Sequence, residues 1–273
     1  MTRLSPRHPR YQSLVTRATL ADAARRGVVV PEGLIAHGRA EAFDYFLGER
    51  TSPSARRAER VAAAWLVRAQ RPVVSVNGNV AALASREVAA LARAIPGLGV
   101  EINLFHRTPA RARSIARQLR RAGISDVLGE VPSARLPGLD SDRAAIDARG
   151  IALADVVLVP LEDGDRALAL RRAGKRVIAI DLNPLSRTAR VADLPIIDEL
   201  RRALRGIRAA IRSRTPERRP RGFPQFDAKG ALADAVRTMG GRLTAVTRPI
   251  GRARGRSGRR RPRGTGRPRR RTP

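Results

Sequence analysis

The sequence predicts an α/β protein: a Rossmann-like, mostly parallel sheet with helices on both faces, preceded by a helical N-terminal segment and followed by a disordered basic tail. Three observations carry this. From Pro72 onward, short runs rich in β-branched residues alternate with helical patterns, the rhythm of strands joined by crossover helices. Residues 1–70 carry helical patterning only. Beyond Val246 the chain is Arg, Gly and Pro with almost nothing to bury, so it cannot offset its ordering entropy. The expected division is therefore 1–70, 71–245 and 246–273.

Taken in order, Ser5 to Tyr11 (SPRHPRY) holds two prolines that forbid a continuous helix and reads as an arm or loop. Helices are expected from about Gln12 to Arg26, from Glu32 to Leu47 after Pro31, and from Ala55 to Ala69 after a Ser52 or Ser54 cap. His37, Gly38 and Arg39 interrupt the apolar face of the second. Val73 to Val76 is a strand ending in Asn77-Gly78-Asn79, and a helix follows from Val80 to about Ala94. Val100 to Phe105 is a second strand, ending in His106-Arg107; Thr108 then caps a helix that Pro109 opens and Gly123 ends. A weak strand near Asp126 to Leu128 and a Pro/Gly-rich loop lead to the strand Asp155 to Val159, which runs into Glu162-Asp163-Gly164-Asp165. After a helix to Ala173, Arg176 to Thr188 (RVIAIDLNPLSRT) reads as a buried strand that ends in polar groups. Pro195 to Ile197 is a last strand, meeting Asp198 at a helix start, and Asp227 caps a final helix to about Met239.

Composition narrows the class. At 273 residues the chain can bury a sizeable core, and with no Cys it has no disulfide, no Cys-metal site and no Cys nucleophile. No apolar run is long enough to span a bilayer and no signal-peptide core is evident, so a cytoplasmic protein without membrane contact is expected. The net charge of +31 is mostly terminal: residues 1–200 carry 31 Lys and Arg against 21 Asp and Glu, residues 201–273 carry 24 against 3. Lys occurs only at 175 and 229, so a bias toward Arg inflates the basic count and a single surface Arg is weak evidence. The tail is expected to make nonspecific contacts with nucleic acid, which motivates a nucleic-acid-binding alternative.

Four strands end in polar clusters, at Asn77 to Asn79, His106 and Arg107, Glu162 to Asp165, and Asp181 to Thr188. All strands of a parallel sheet point one way, so all four clusters fall on one edge, where ligands bind in such folds. His8 and His37 also sit in polar-dense stretches. No phosphate-binding Gly-rich loop is present, so a bound nucleotide must be held by Arg side chains and helix N-termini. Glu162, Asp163 and Asp165 suit Mg²⁺, directly or through water, and equally suit the start of a helix. No histidine spacing indicates a resident metal.

The blocks SPRHPRYQSLVTR, GLIAHGRAEAFDY, PVVSVNGNVAAL, EINLFHRT, ADVVLVPLEDGDR and VIAIDLNPLSRTAR resemble, in order, the archaeal phosphopantothenate synthetases (4-phosphopantoate–β-alanine ligases). The resemblance implies a homodimer and an ATP-dependent ligase of coenzyme A biosynthesis. Such an enzyme joins 4-phosphopantoate to β-alanine through an acyl adenylate, releasing AMP and pyrophosphate. By motif it implies nucleotide contacts at Arg17, Arg39, Asp181, Leu182, Asn183, Arg187 and Thr188, with a further contact at Asp198-Glu199, where the family pattern has Asn after the Asp. ATP would carry Mg²⁺ on its phosphates. Two anionic substrates in one site need cations, for which Arg17, Arg39, Arg107 and Arg187 are suited. Asn77, Asn79, His106 and Arg107 are candidates for the 4-phosphate, and His8 and His37 for further substrate contacts. The β-alanine ammonium must lose a proton, and one carboxylate of the Glu162–Asp165 segment, such as Asp163 or Asp165, or a histidine such as His106 could take it; the sequence does not select between them. The nearest enzyme alternative is a kinase or nucleotidyl transferase on the same sheet.

Overall fold

A computed structural model of the chain describes residues 5–213 and 222–246. The Arg-rich tail and the Pro/Arg linker lie outside the described residues.

Three helices come first: α1 (Tyr11–Arg25), α2 (Pro31–Leu47) and α3 (Pro53–Arg68). Ser52 caps α3 by accepting a hydrogen bond from the Ala55 N–H at 3.1 Å. The alternating part follows as β1 (Pro72–Val76), α4 (Gly78–Ala94), β2 (Gly99–Ile102), α5 (Pro109–Arg121), the short hairpin strands β3 (Ala134–Arg135) and β4 (Ala145–Ile146), β5 (Val156–Pro160) and α6 (Gly164–Arg172). It closes with β6 (Arg176–Asp181), α7 (Arg187–Val191), β7 (Leu194–Ile197), α8 (Leu200–Arg212) and α9 (Ala228–Val246). No described helix is long and apolar enough to cross a membrane.

The main sheet runs β2-β1-β5-β6-β7 and every pairing in it is parallel. Its register explains the two-sided core. Val100, Val74, Leu158, Ile178 and Leu194 form one row across the sheet and pack against α3, α4, α5 and α8. The offset row of Val73, Val157 and Val177 faces the other way, onto α6 and the β3–β4 hairpin. Because the pleat alternates faces and both are covered, β1 and β5 are buried at every position, which is why they read as unbroken apolar runs. Leu20 and Ala23 of α1 and Ala62 and Trp65 of α3 share the first of these cores.

Three expectations shift. The strand expected to reach Phe105 stops at Ile102, because its only long partner, β1, ends at Val76; Asn103 N–H still reaches the Val76 carbonyl at 3.0 Å. The weak strand at 126–128 is reduced to one bridge, Leu128 to Glu101, since Gly129 at φ 72° turns the chain away. The last helix continues past Met239 to Val246, about two turns further, and Arg242 lies against Gly48 at the end of α2, which anchors the first of them.

Candidate active site

β1 and β5 are neighbours, but the chain leaves them toward opposite sides, β1 into α4 on the way to β2 and β5 into α6 on the way to β6. Such a switch point opens a crevice at the carboxyl ends of the two strands. Asn77 spans it: its Oδ1 accepts from the Val80 N–H at 3.0 Å, and its Nδ2 donates to the carbonyls of Pro160 at 3.2 Å and Leu161 at 2.8 Å. Leu161 holds φ 53°, a left-handed conformation costing about 1–2 kcal/mol for a side chain of this kind. That turn carries Glu162 and Asp163 into the crevice mouth.

A cavity of about 350 Å³ lies over this point. Its floor is the strand ends and the first turn of α4, and its other wall is α2, through Glu32, Gly33, Ala36, His37, Arg39, Ala40 and Phe43. Asn79 ties the two, its Nδ2 donating to the Gly33 carbonyl at 2.8 Å. Gly78 is required here: a Cβ would sit 2.3 Å from the Val28 carbonyl oxygen and 2.8 Å from an Arg111 nitrogen. With Asn77 capping Val80, the N–H groups of Gly78 and Asn79 find no partner among the described residues, so the amino end of α4, which kinks at Ala84, offers two free donors to an anion.

The charged groups fall into two sets. Glu162 is fully engaged: Arg143 Nη1 donates to one oxygen at 2.8 Å and Arg166 Nη1 to the other at 2.5 Å. Arg143 also pairs with Asp163 and stands 4.6 Å over the Phe105 ring. Arg166 is completely buried and donates as well to Ser75 Oγ at 3.0 Å and to the Arg143 carbonyl at 3.1 Å. Beneath it the chain continues from Ser75 to Asn103 and on to Glu101, whose oxygens accept from the Asp147 and Ile151 N–H groups. The Arg39 guanidinium, by contrast, makes no hydrogen bond or ion pair with any described residue and acts through its charge on Asp163 and Asp181. Burial raises the pKa of Asp163 against the opposing pull of Arg143. It also raises that of Asp181, which the Ser186 hydroxyl at 2.6 Å and the Asn183 N–H at 2.9 Å partly stabilise as the carboxylate. Burial lowers the pKa of His37, against the opposing pull of Glu41 and Glu199, so this ring is neutral at neutral pH and its buried Nε2 has no partner.

Of the residues singled out in the sequence, His37, Arg39, Asn77, Asn79, Asp163, Asp181, Leu182, Asn183 and Glu199 line this one cavity. His106 stands at its mouth, exposed, with Nε2 3.9 Å from Glu32. The others lie outside the lining. His8 is exposed and its Nδ1 accepts from the Arg10 N–H. Arg17 is paired with Glu41 through two hydrogen bonds of 3.0 and 2.8 Å. Arg107 is turned toward the Gly129 and Glu130 carbonyls. Asp165 is exposed in the first turn of α6. Arg187 is exposed at the start of α7, its backbone pressed on Gly164. The Thr188 hydroxyl donates to the Glu162 carbonyl at 2.6 Å. Asp198 is buried between the Thr51 hydroxyl at 2.6 Å and Arg202 at 2.7 Å, while its neighbour Glu199 caps α8 and reaches the cavity.

Sequence reasoning missed Arg111, Arg143, Arg166 and Phe105. Arg166 was readable, four residues after Glu162 at a helix start, the spacing of an ion pair on one face. Arg143 comes from a loop with no motif. Among the described residues no group of three His, Asp or Glu is arranged to hold a metal ion, and the pairing of Glu162 and Asp163 with arginines leaves no free carboxylate cage there.

Residues 54–242 match the model of the phosphopantothenate/pantothenate synthetase family. A protein of Methanospirillum hungatei is 58% identical over 200 residues, covering 73% of this chain and 81% of the relative. One from Thermococcus onnurineus is 53% identical over 204 residues, covering 74% and 78%, and one from Methanosarcina mazei is 47% identical over 239 residues, covering 86% and 94%. All three are named 4-phosphopantoate–β-alanine ligase. With matches of this length running through the strand ends that build the cavity, the chain belongs to the phosphopantothenate/pantothenate synthetase family.

Proposed function

We propose that this protein is an ATP-dependent 4-phosphopantoate–β-alanine ligase of coenzyme A biosynthesis, acting in the cytoplasm. The observation that carries the reading is the switch-point cavity, where the open amino end of α4 and the unpaired guanidinium of Arg39 line one space. An amide cannot form from a carboxylate and an amine in water without activation. In the proposed sequence a pantoate carboxylate oxygen attacks the α-phosphorus of ATP, the bond to the β-phosphate bridging oxygen breaks, and pyrophosphate leaves. The β-alanine amine, after losing a proton, then attacks the acyl carbon and AMP leaves. Mg²⁺ would arrive on the triphosphate, since the described residues offer it no cage of their own.

Within this reading Arg39, the α4 amino end and exposed Arg187 neutralise phosphate charge. Asp181 to Asn183 and Glu199 are assigned to the nucleotide. The orphaned Nε2 of neutral His37 is suited to accept a proton or hydrogen bond from substrate. Asp163, shared with Arg143, is the remaining candidate base. A homodimer is supported by the apolar outer face of α2 and α9, where Ile35, Tyr45, Phe46, Val236 and Leu243 are exposed. Incubation with 4-phosphopantoate, β-alanine and Mg-ATP should give phosphopantothenate and AMP in equal amounts. Formation of ADP instead of AMP would favour a kinase and defeat the proposal.

A further inference from the structure

A second cavity, of about 560 Å³, lies where α3 packs on α8, away from the strand ends. Arg50, Arg56 and Arg60 line it together with Glu49, all exposed, and none of the three guanidinium groups makes an ion pair or hydrogen bond with a described residue. In a chain this rich in arginine that alone says little. What distinguishes the place is Glu59, 5% exposed in the wall of the cavity, with a buried Oε1 that has no hydrogen-bond partner.

The Glu59 carboxyl is pressed against the backbone of α8 at Gly206, where a Cβ would sit 2.1 Å from its Oε2. Around it stand Arg56 and Arg60 from its own helix, Arg202 from α8 and Asp198 from the preceding turn. Arg202 cannot serve Glu59, because its nitrogens are taken by Asp44 and Asp198. Burial, helped by the Asp198 charge, pushes the Glu59 pKa up to about 8 despite the three arginines. At neutral pH the group is therefore a carboxylic acid: a buried O–H donor without an acceptor in the chain, beneath uncommitted guanidinium groups. A buried donor left without its partner is costly, and an anion oxygen is the partner whose charge the surroundings favour.

We propose that this cleft is a second anion site, in which Arg50, Arg56 and Arg60 hold a phosphate-class oxyanion and the Glu59 carboxylic acid donates to one of its oxygens. The ligand is a tetrahedral phosphoryl-type group, free or at the end of a phosphate monoester. It is independent of the ligase reading, since no residue of the first cavity takes part.

Equilibrium dialysis of the full chain with radiolabelled sulfate, which stays a dianion across the pH range, tests it. The Arg56→Ala/Arg60→Ala double variant should lose one bound sulfate per chain, or bind it at least about tenfold more weakly, while keeping its circular-dichroism spectrum and its ligase turnover. Wild-type binding should fall as the pH rises through about 8, as Glu59 ionises, whereas Glu59→Gln should hold its sulfate there. Displacement by orthophosphate but not AMP assigns the free ion, and displacement by both assigns the phosphoryl group itself. Equal stoichiometry and affinity in the wild type and the folded double variant overturns the site, and the same pH dependence in Glu59→Gln removes Glu59 from it.

Discussion

The two walls of the switch-point cavity are built by opposite means. On one side β1 and β5 are buried at every position and end in a network that runs from Glu162 through Arg166, Ser75 and Asn103 to Glu101. On the other side α2, 17 residues long, buries only Leu47 fully. It packs on α7 and α9 through the half-buried Ala40 and Phe43 and through Leu47, and is tied further by polar links: Asn79 to Gly33, Ser13 and Arg17 to Glu41, and Arg202 to Asp44 at 2.5 and 3.0 Å. A wall cast by the core is rigid, and one with a single fully buried residue opens at lower free-energy cost. The contrast suits a reaction that needs a fixed place for charge transfer and a movable side through which two substrates enter and products leave.

The largest expected effect breaks the rigid wall. Arg166→Met removes one partner of a fully buried ion pair and leaves Glu162 half satisfied, so urea denaturation should show a loss of about 3–5 kcal/mol. A loss under about 1 kcal/mol would mean that the network is not what stiffens this side. Next comes the opposite wall. Arg39→Ala touches no partner in the fold, so stability should hold while kcat/KM falls about a hundredfold, near 2.7 kcal/mol of transition-state stabilisation. Near-normal kinetics would take Arg39 out of the site.

A smaller effect is set by pH. Glu59 on α3 has a folded pKa of about 8 against an ordinary 4.5, so the folded state holds the extra proton and the stability it contributes is full below 4.5 and is lost as the pH rises toward 8. Relative to Glu59→Gln, the wild type should weaken by about 1 kcal/mol over one pH unit inside that window, measured as the difference in denaturation midpoints. Parallel stabilities for the two proteins would show that Glu59 is ionised when folded. The smallest change belongs to α2 again. His37 has its pKa lowered, so its neutral form prevails above 6.5 and its protonation cuts activity only as the pH falls further. His37→Gln should raise KM several-fold and flatten the acid limb of the rate profile; an unchanged limb assigns that titration to another group.

Much of this was legible in the chain. The buried strands were recognisable because a parallel strand covered on both faces is apolar throughout, and Thr108-Pro109 and Ser52-Pro53 mark helix starts by chemistry local to a few residues. The strand-end clusters were predictable in kind, since parallel strands put their carboxyl ends on one edge. What could not be read was commitment. Asn77 looks like a binding residue and is occupied by the Val80 amide and two carbonyls of the neighbouring strand end. Arg17 looks like a free cation and is held by Glu41, 24 positions away in the chain.

By itself, then, the sequence determined the parallel α/β architecture, the edge on which chemistry collects and the family, because these rest on periodicity and on motifs spanning a few residues each. Only the tertiary structure decided which charged groups are spent and which are free. Arg166 and Arg143 neutralise Glu162 and Asp163, Asp198 is absorbed by Arg202 and Thr51, and Arg39 and the amino end of α4 remain uncommitted. The physical reason is that a charge becomes available or silent through partners brought near by folding. In the strongest cases here, such as Thr51 with Asp198, those partners stand 147 residues apart.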